Sequence, residues 1–241
     1  MRNEIIDNQY TVLEDRAELS KTFMSNVFSY MFVALALSGL AAYLFGTISG
    51  LMGILRSPDT YSPTILGWIV MLAPLGLVFL MSARFQKFAF PNLLAVFVLY
   101  SVLTGMSLSS IFIMYSMGSI AITFLVTAGT FGVMAILGYT TTTDLTKFGS
   151  ILYMAVIGLL IAMVVNWFAG SSTLEYIISG AGVLIFTGLT AYDTQKLKNI
   201  GAQMDANSEA AKKASIMGAL SLYLDFINLF LFLLRFLGSR D

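Results

Sequence analysis

The chain has 241 residues, of which 58% are hydrophobic and only 11% charged, and its formal net charge is zero. A typical soluble domain has about 25% charged residues, so this chain has too few charges to cover a surface exposed to water. It contains neither histidine nor cysteine, which excludes disulfides, Ser–His and Cys–His catalytic pairs and histidine-based zinc sites, and its neutral charge argues against nucleic-acid binding.

Seven apolar segments are long enough to form helices that cross a bilayer, which takes roughly 20 apolar residues. In chain order, the first two are residues 24–47 and 63–83. The region between Lys87 and Asp144 holds no charged residue. It is too long for one helix and therefore predicts two spans, with a break near residues 115–119. The last three predicted spans are 148–168, 176–195 and 214–234.

The basic residues predict the orientation of these spans. With a cytoplasmic N-terminus, ten of the thirteen basic residues lie on the inner side, and Arg56, Arg235 and Arg240 lie outside. Lysine and arginine concentrate on the cytoplasmic side of membrane proteins, so we expect a cytoplasmic N-terminus and an outer C-terminus. The sequence thus predicts an all-α integral membrane protein, with a cytoplasmic tail over residues 1–23 and one seven-helix transmembrane domain over 24–241.

Small residues recur within several predicted spans, for example at Gly129 and Gly132 and at Gly182 and Gly188. In a membrane, glycine allows two helix backbones to approach closely. We therefore interpret these glycines as helix-packing positions and not as a functional motif.

Asp193 and Asp225 are the only acidic residues that fall inside the apolar spans. An aspartate at the centre of a membrane helix costs roughly 2.5–3.5 kcal/mol on insertion scales. Such residues usually face the bundle interior and belong to ion paths or proton relays. The alternative is a structural aspartate whose oxygens are satisfied by hydroxyl or backbone donors. Two aspartates in adjacent helices favour the functional interpretation.

Polar side chains accompany both aspartates. Ser221, Asp225 and Asn228 share one face of the last span, because residues three and four apart are neighbours on a helix. Thr190 lies three residues before Asp193 on the preceding span. We expect these side chains to line a polar path and to donate hydrogen bonds to the carboxylates.

The depths of the two aspartates differ when they are counted from the flanking lysines. Asp193 lies three residues before Lys196, whereas Asp225 lies twelve residues after Lys213. This is an offset of roughly 13 Å at a rise of 1.5 Å per residue. The pair can meet if the last helix begins well inside the cytoplasm, or if the preceding helix extends past Lys196.

Two carboxylates held close together in a medium of low dielectric constant cannot both ionise easily, so such a pair shares a proton. A proton-linked contact between the last two spans would act as a latch, and loss of the proton would push the helices apart. The sequence thus predicts a pH switch built without histidine. Arg84, at the inner end of the second span, is a candidate counter-ion in an open state; the simpler interpretation is a positive-inside anchor.

Two stretches of the sequence resemble the Bax inhibitor family, the transmembrane Bax-inhibitor-motif group, in its bacterial form. They are residues 186–198, FTGLTAYDTQKLK, and residues 218–238, GALSLYLDFINLFLFLLRFLG. Chain length, span number and the short acidic N-terminal tail also fit, so the resemblance covers nearly the whole chain. It implies a fold in which the last helix is central and six helices surround it.

The resemblance also implies a pH-sensitive calcium leak gated by Asp193 and Asp225, with Arg84 as the exchange partner in the open state. Calcium takes roughly 6–8 oxygen ligands. The two aspartates with Ser221, Asn228 and water would hold it only weakly, which suits passage better than storage. The expected partners are the lipid bilayer, calcium and protons. No cofactor is expected, and the expected location is a bacterial inner membrane.

Three other functions compete with this interpretation, and two of them stay open. An intramembrane aspartyl protease would need a Gly-x-Gly-Asp motif, but Asp225 follows Tyr223 and Leu224, so we predict no enzymatic activity. An interaction protein that regulates a membrane protease or a stress response would require a membrane-protein partner, which the acidic tail could contact. A proton-coupled transporter would use the same aspartate pair.

Overall fold

A computed structural model describes the backbone of residues 2–205 and 208–239, and the side chains of residues 15–205 and 208–239. Within these residues the chain forms nine helices, and seven of the helical segments are long and apolar enough to cross a membrane. The helices are α1 (Arg2–Thr47), α2 (Ser49–Leu55), α3 (Ile65–Arg84), α4 (Phe90–Leu108), α5 (Ile111–Met114), α6 (Met117–Thr140), α7 (Thr146–Ala169), α8 (Ser172–Gly201) and α9 (Glu209–Leu237).

Hydroxyl caps and one glycine explain where several spans begin or end. Thr64, Ser116, Ser171 and Ser208 each precede a helix and accept a hydrogen bond from the backbone N–H three residues later. These caps satisfy donors that the first turn of a helix leaves unpaired. α7 ends at Gly170, whose φ of 61° is a left-handed conformation that glycine adopts without strain.

The structure confirms the number of predicted spans and their approximate positions. The break between the third and fourth spans falls at residues 109–116 and contains the short helix α5. The packed bundle begins before residue 24, because Ser20 and Phe23 are buried against the inner end of α8. The side chain of Arg2 and the whole of Arg240, which entered the charge count, lie outside the described residues.

The last span, α9, is the most deeply buried. Within its apolar window 67% of the residues are buried, compared with 11% to 39% for the other six spans. It packs against α1, α4, α6 and α8. This burial favours the central position that the family resemblance implies.

The outward faces of the spans are apolar. α3 and α7 are buried over only 17% and 11% of their apolar windows, and their exposed side chains include Phe79, Ile157 and Leu160. Such a surface would be unfavourable in water, whereas in a bilayer it contacts lipid tails that are equally apolar. The chain is therefore a multi-pass membrane protein.

A polar contact in the core joins α9 to α1 and α4. The Ser38 hydroxyl oxygen lies 2.7 Å from the Tyr223 hydroxyl oxygen and 2.7 Å from the carbonyl oxygen of Ser101. Gly105 allows this approach, because a Cβ atom there would meet the backbone of Ser38. Tyr223 is fully buried and lies two residues before Asp225, so this contact fixes the part of α9 that carries the candidate site.

Candidate functional site

Asp193 on α8 and Asp225 on α9 are buried where these two helices pack together, with 3% and 5% of their surfaces exposed. The hydroxyl of Ser221 donates a hydrogen bond of 2.6 Å to Asp193 Oδ2. Ser221 and Asp225 are four residues apart on one face of α9, so Asp193 lies roughly 5 Å, about one helical turn, inward of Asp225.

This offset is smaller than the distance expected from the flanking lysines. α8 continues past Lys196 to Gly201, and α9 begins at Glu209, before Lys213. Both helices thus extend beyond the predicted spans at their inner ends. The two aspartates therefore come to neighbouring levels of the bundle.

A tyrosine from α7 completes the surroundings of Asp193. The Tyr153 hydroxyl donates to Asp193 Oδ1 at 3.0 Å and to Oδ2 at 3.3 Å, and its ring packs edge-on against Tyr192 with centroids 6.0 Å apart. The sequence pattern did not single out Tyr153, because a tyrosine in an aliphatic span resembles a lipid-facing residue. The one available signal is that its hydroxyl needs a partner in apolar surroundings.

The two carboxylates have unequal surroundings. Both oxygens of Asp193 accept hydrogen bonds from hydroxyl groups. Asp225 Oδ2 is buried and has no hydrogen-bond partner among the residues that the structure describes. A buried charged oxygen without a donor is costly, so the two positions differ in how well they tolerate a negative charge.

Thr190 and Asn228, which we expected to donate to the carboxylates, hydrogen-bond elsewhere. Thr190 Oγ1 donates to the carbonyl oxygen of Phe186, and Asn228 Nδ2 donates to that of Leu224, both at 2.8 Å. In apolar surroundings, a polar side chain on a helix is readily satisfied by the carbonyl four residues earlier. That part of the expectation was wrong for this conformation, and among the predicted donors Ser221 alone bonds to Asp193. A path-lining role for Thr190 and Asn228 stays a prediction.

Arg84 is the last residue of α3 and its side chain is exposed. Within the described part of the chain it forms no salt bridge with Asp193. The two residues that follow it, Phe85 and Gln86, line the cavity that leads to Asp193. A role for Arg84 as the counter-ion in an open state therefore stays a prediction.

A cavity of 550 Å³ opens at the predicted inner end of the bundle, between the ends of α3, α8 and α9. Its deepest polar groups are Asp193 and Ser221, and Lys196 and Lys213 also line it. Most of its other walls are apolar side chains. Asp193 therefore lies at the end of a preformed space that opens on this side.

A second cavity of 480 Å³ lies towards the opposite end of the bundle. Its polar lining residues are Ser107, Ser110, Tyr115, Asn166, Glu175 and Arg235. On α9 the two cavities end at Ser221 and Leu231, which are separated by roughly 15 Å of helix. Buried side chains of this interval include Leu222, Phe226 and Leu229. The two cavities are therefore not connected along α9, and Asp225 lies within the closed interval between them.

Comparison with known proteins gives consistent results. A family profile described as "Inhibitor of apoptosis-promoting Bax1" matches residues 20–241. The chain is 46% identical over 231 residues to the inner membrane protein YbhL of Escherichia coli K12, covering 95% of this chain and 96% of that protein. It is 44% identical over 222 residues to an uncharacterized protein of Borreliella burgdorferi, covering 92% and 94%. A Rickettsia prowazekii protein, RP147, is 41% identical over 220 residues, covering 91% and 90%.

Proposed function

The chain belongs to the Bax inhibitor family of membrane proteins, and from that premise we propose that it is a pH-sensitive calcium leak channel. Asp193 and Asp225 form its proton-sharing gate. Like its Escherichia coli relative, it would reside in a bacterial inner membrane, with a cytoplasmic N-terminus as the basic residues predict. No enzymatic step is part of this proposal.

One observation carries the proposal. Asp193 lies where a cavity open to the inner side ends, and Asp225 on the adjacent span lies just beyond it, within the closed interval. A charged group in this position controls whether the two helices stay together. It is also the first group that an ion meets on its way from the cavity into the membrane interior.

The closed state is favoured while the pair keeps one proton. Two full charges roughly 6 Å apart repel each other by about 3 kcal/mol at an effective dielectric constant of about 20. An energy of that size changes the ratio of open to closed molecules by about a hundredfold. We therefore expect loss of the shared proton to shift the balance towards a state in which α8 and α9 separate and the two cavities connect.

Calcium would bind only weakly on this path. Among the described residues, no group of three or more His, Cys, Asp or Glu side chains is arranged to hold a metal ion. Asp193 and Asp225 supply the charge, and the Ser221 hydroxyl supplies a neutral oxygen. Weak binding suits conduction, because an ion that binds tightly does not leave.

The proposal is tested by calcium flux into liposomes that contain the purified protein, from about pH 5.5 to about pH 8.5, a range that brackets the titration of a coupled carboxylate pair. We expect wild-type flux to rise with pH. Asp193→Asn and Asp225→Asn should each abolish this dependence and hold the flux at its low-pH level, because an amide cannot lose the gating proton. Asp144→Asn is the matched control, since Asp144 is an exposed aspartate of the α6–α7 loop.

Contrary outcomes point to the other candidate functions. If the wild-type protein gives no calcium flux at any pH, or if both variants keep the wild-type pH profile, the proposed gate is wrong. Proton uptake that depends on an added solute would indicate a proton-coupled transporter instead. A phenotype that follows deletion of the N-terminal tail without any change in ion flux would indicate an interaction protein.

A further inference from the structure

Among the described residues, the hydroxyl group of Tyr153 is the one contact that joins α7 to the aspartate pair by a hydrogen bond. It donates to both oxygens of Asp193, while Ser221 of α9 donates to one of them. Part of the Tyr153 side chain is exposed at the lipid-facing surface. In such apolar surroundings water competes little for the hydroxyl, so the bond to a carboxylate is strengthened.

We infer that Tyr153 is a positioning residue that keeps Asp193 as the charged member of the pair and leaves Asp225 as the carrier of the shared proton. This inference deepens the proposed function and rests on it. Hydroxyl donors stabilise the charged form of a carboxylate, and Asp193 has two of them. The unpartnered buried oxygen of Asp225 costs less free energy when that residue holds the proton, because a neutral group is buried at lower cost than a charge.

The other charged groups near Asp193 do not take over this role. α8 packs against α1, α6, α7 and α9. α6 has no charged residue, and Lys147 is the only charged residue of α7. Among the residues whose side chains the structure describes, the remaining charged groups of these elements towards the inner side are Asp15, Arg16, Glu18, Lys21, Lys196, Lys198, Glu209, Lys212 and Lys213, together with Asp225 within the bundle.

Two of these lysines share the inner cavity with Asp193. Lys196 lies over the ring of Tyr192 at 5.9 Å. The Nζ atom of Lys213 donates to the carbonyl oxygens of Gln86 and Phe88 and lies 3.8 Å from Oε1 of Glu209. Neither forms a salt bridge with Asp193 within the described residues. The hydroxyls of Tyr153 and Ser221 are therefore the direct partners that set the charge on Asp193.

Removal of the Tyr153 hydroxyl should raise the pH at which the aspartate pair loses its shared proton. The state without a proton on either aspartate loses the full stabilisation from the donor. The state with one proton loses less, because the proton can move to Asp193. Proton loss then needs a higher pH. The shift equals the difference between these two losses, which is smaller than the full value of one hydrogen bond to a charged group and is about one pH unit.

The test compares Tyr153→Phe with Tyr192→Phe in the flux assay over the same pH range. Tyr192 contacts the Tyr153 ring but makes no side-chain hydrogen bond among the described residues. We expect the midpoint of the flux profile to move upward by about one pH unit in Tyr153→Phe and to stay at the wild-type value in Tyr192→Phe. An unchanged midpoint in Tyr153→Phe, or an equal shift in both variants, overturns the inference.

A second measurement separates this inference from the proposed function. Infrared difference spectra of the protein in lipid follow the protonated carboxyl band during a pH titration and require no ion flux. The band that Asp225→Asn removes should titrate at a higher pH in Tyr153→Phe than in the wild type. If the wild type conducts no calcium but this shift is present, the channel proposal fails and the role of Tyr153 stands. If the band titrates identically in both proteins, the role of Tyr153 is refuted.

Discussion

At the scale of single residues, the site depends on where each polar side chain finds its partner. Gln195 lies two residues after Asp193 and is buried. Its position in the sequence gives no sign that its side chain contacts a loop. Its side-chain oxygen accepts from the backbone N–H of Leu145 at 2.9 Å, and its nitrogen donates to the carbonyl oxygen of Thr143 at 2.8 Å. It thereby holds the loop of residues 141–145 against the helix that carries Asp193.

We expect Gln195→Leu to lower the free energy of unfolding by about 1–3 kcal/mol, because two hydrogen bonds are lost and a loop N–H is left without its partner. Thermal unfolding of the purified protein in detergent measures this change. The increased mobility of the loop should also make it more susceptible to limited proteolysis.

Gln203→Leu is the matched control for this substitution. Gln203 follows the same helix and is exposed, and among the described residues its side chain donates only to the carbonyl oxygen of Asn199, at 3.2 Å. A surface change of this kind usually alters stability by no more than about 0.5 kcal/mol. Equal melting temperatures for the two variants would show that the loop contact of Gln195 is not stabilising.

At the scale of helices, the glycines fall into two groups that the sequence does not distinguish. A Cβ atom at Gly138 would meet the main chain of Ala191, two residues before Asp193, and one at Gly182 would lie 2.5 Å from the ring of Phe232. At Gly129 and Gly132 a Cβ atom would meet nothing within 4 Å. The interpretation of Gly129 and Gly132 as packing positions was therefore wrong within this chain, because they face away from the neighbouring helices.

Gly138→Ala should destabilise the protein, because the added methyl group would force α6 away from the backbone of α8. Overpacking of this kind costs about 1–3 kcal/mol. Unfolding in increasing concentrations of denaturing detergent measures the change. The contact lies beside Asp193, so we also expect the pH profile of calcium flux to be altered.

Gly132→Ala provides the control on the same helix. The new methyl group has open space, and alanine is favoured over glycine within a helix by about 0.5–1 kcal/mol. This variant should be as stable as the wild type or slightly more stable. A similar loss of stability in both variants would mean that any added side chain destabilises α6. The close contact of Gly138 with Ala191 would then not explain the effect.

At the scale of the whole molecule, the inner and outer cavities are separated by a closed interval around Asp225. The chain contains no cysteine, so every introduced thiol gives an unambiguous labelling signal. Met217 lines the inner cavity, Ser110 lines the outer cavity, and Leu229 is fully buried between them. These three positions report both the orientation of the bundle and its closure.

In membrane vesicles of known sidedness, a membrane-impermeant maleimide should modify Met217→Cys from the cytoplasmic side and Ser110→Cys from the outer side. Leu229→Cys should react about tenfold or more slowly from either side, because access to it requires an opening that costs free energy. Mass spectrometry of the labelled protein gives the extent of reaction at each position.

Reaction of Met217→Cys from the outer side would reverse the predicted orientation. Fast reaction of Leu229→Cys at acidic pH would contradict the closed interval. A rise in its reactivity as the pH increases, lost in Asp225→Asn, would support gating by the aspartate pair independently of calcium measurements.

The sequence by itself determined the membrane class, the seven spans and the two aspartates. These follow from local properties, because a helix in a bilayer must be apolar along its own length and a carboxylate within it is conspicuous. The pairing of Ser221 with Asp193 was also foreseeable, since Ser221 lies one turn from Asp225 on a polar face of α9.

Only the tertiary structure decided which groups meet at the site. Tyr153 reaches Asp193 because α7 packs on α8, and no spacing along the chain encodes that contact. Thr190 and Asn228 bond to their own helices because a carbonyl four residues earlier is nearer than any carboxylate. The small offset between Asp193 and Asp225 depends on how far α8 and α9 extend beyond the apolar segments. Hydropathy predicts the apolar part of a helix, but it does not predict where a helix that continues into water ends.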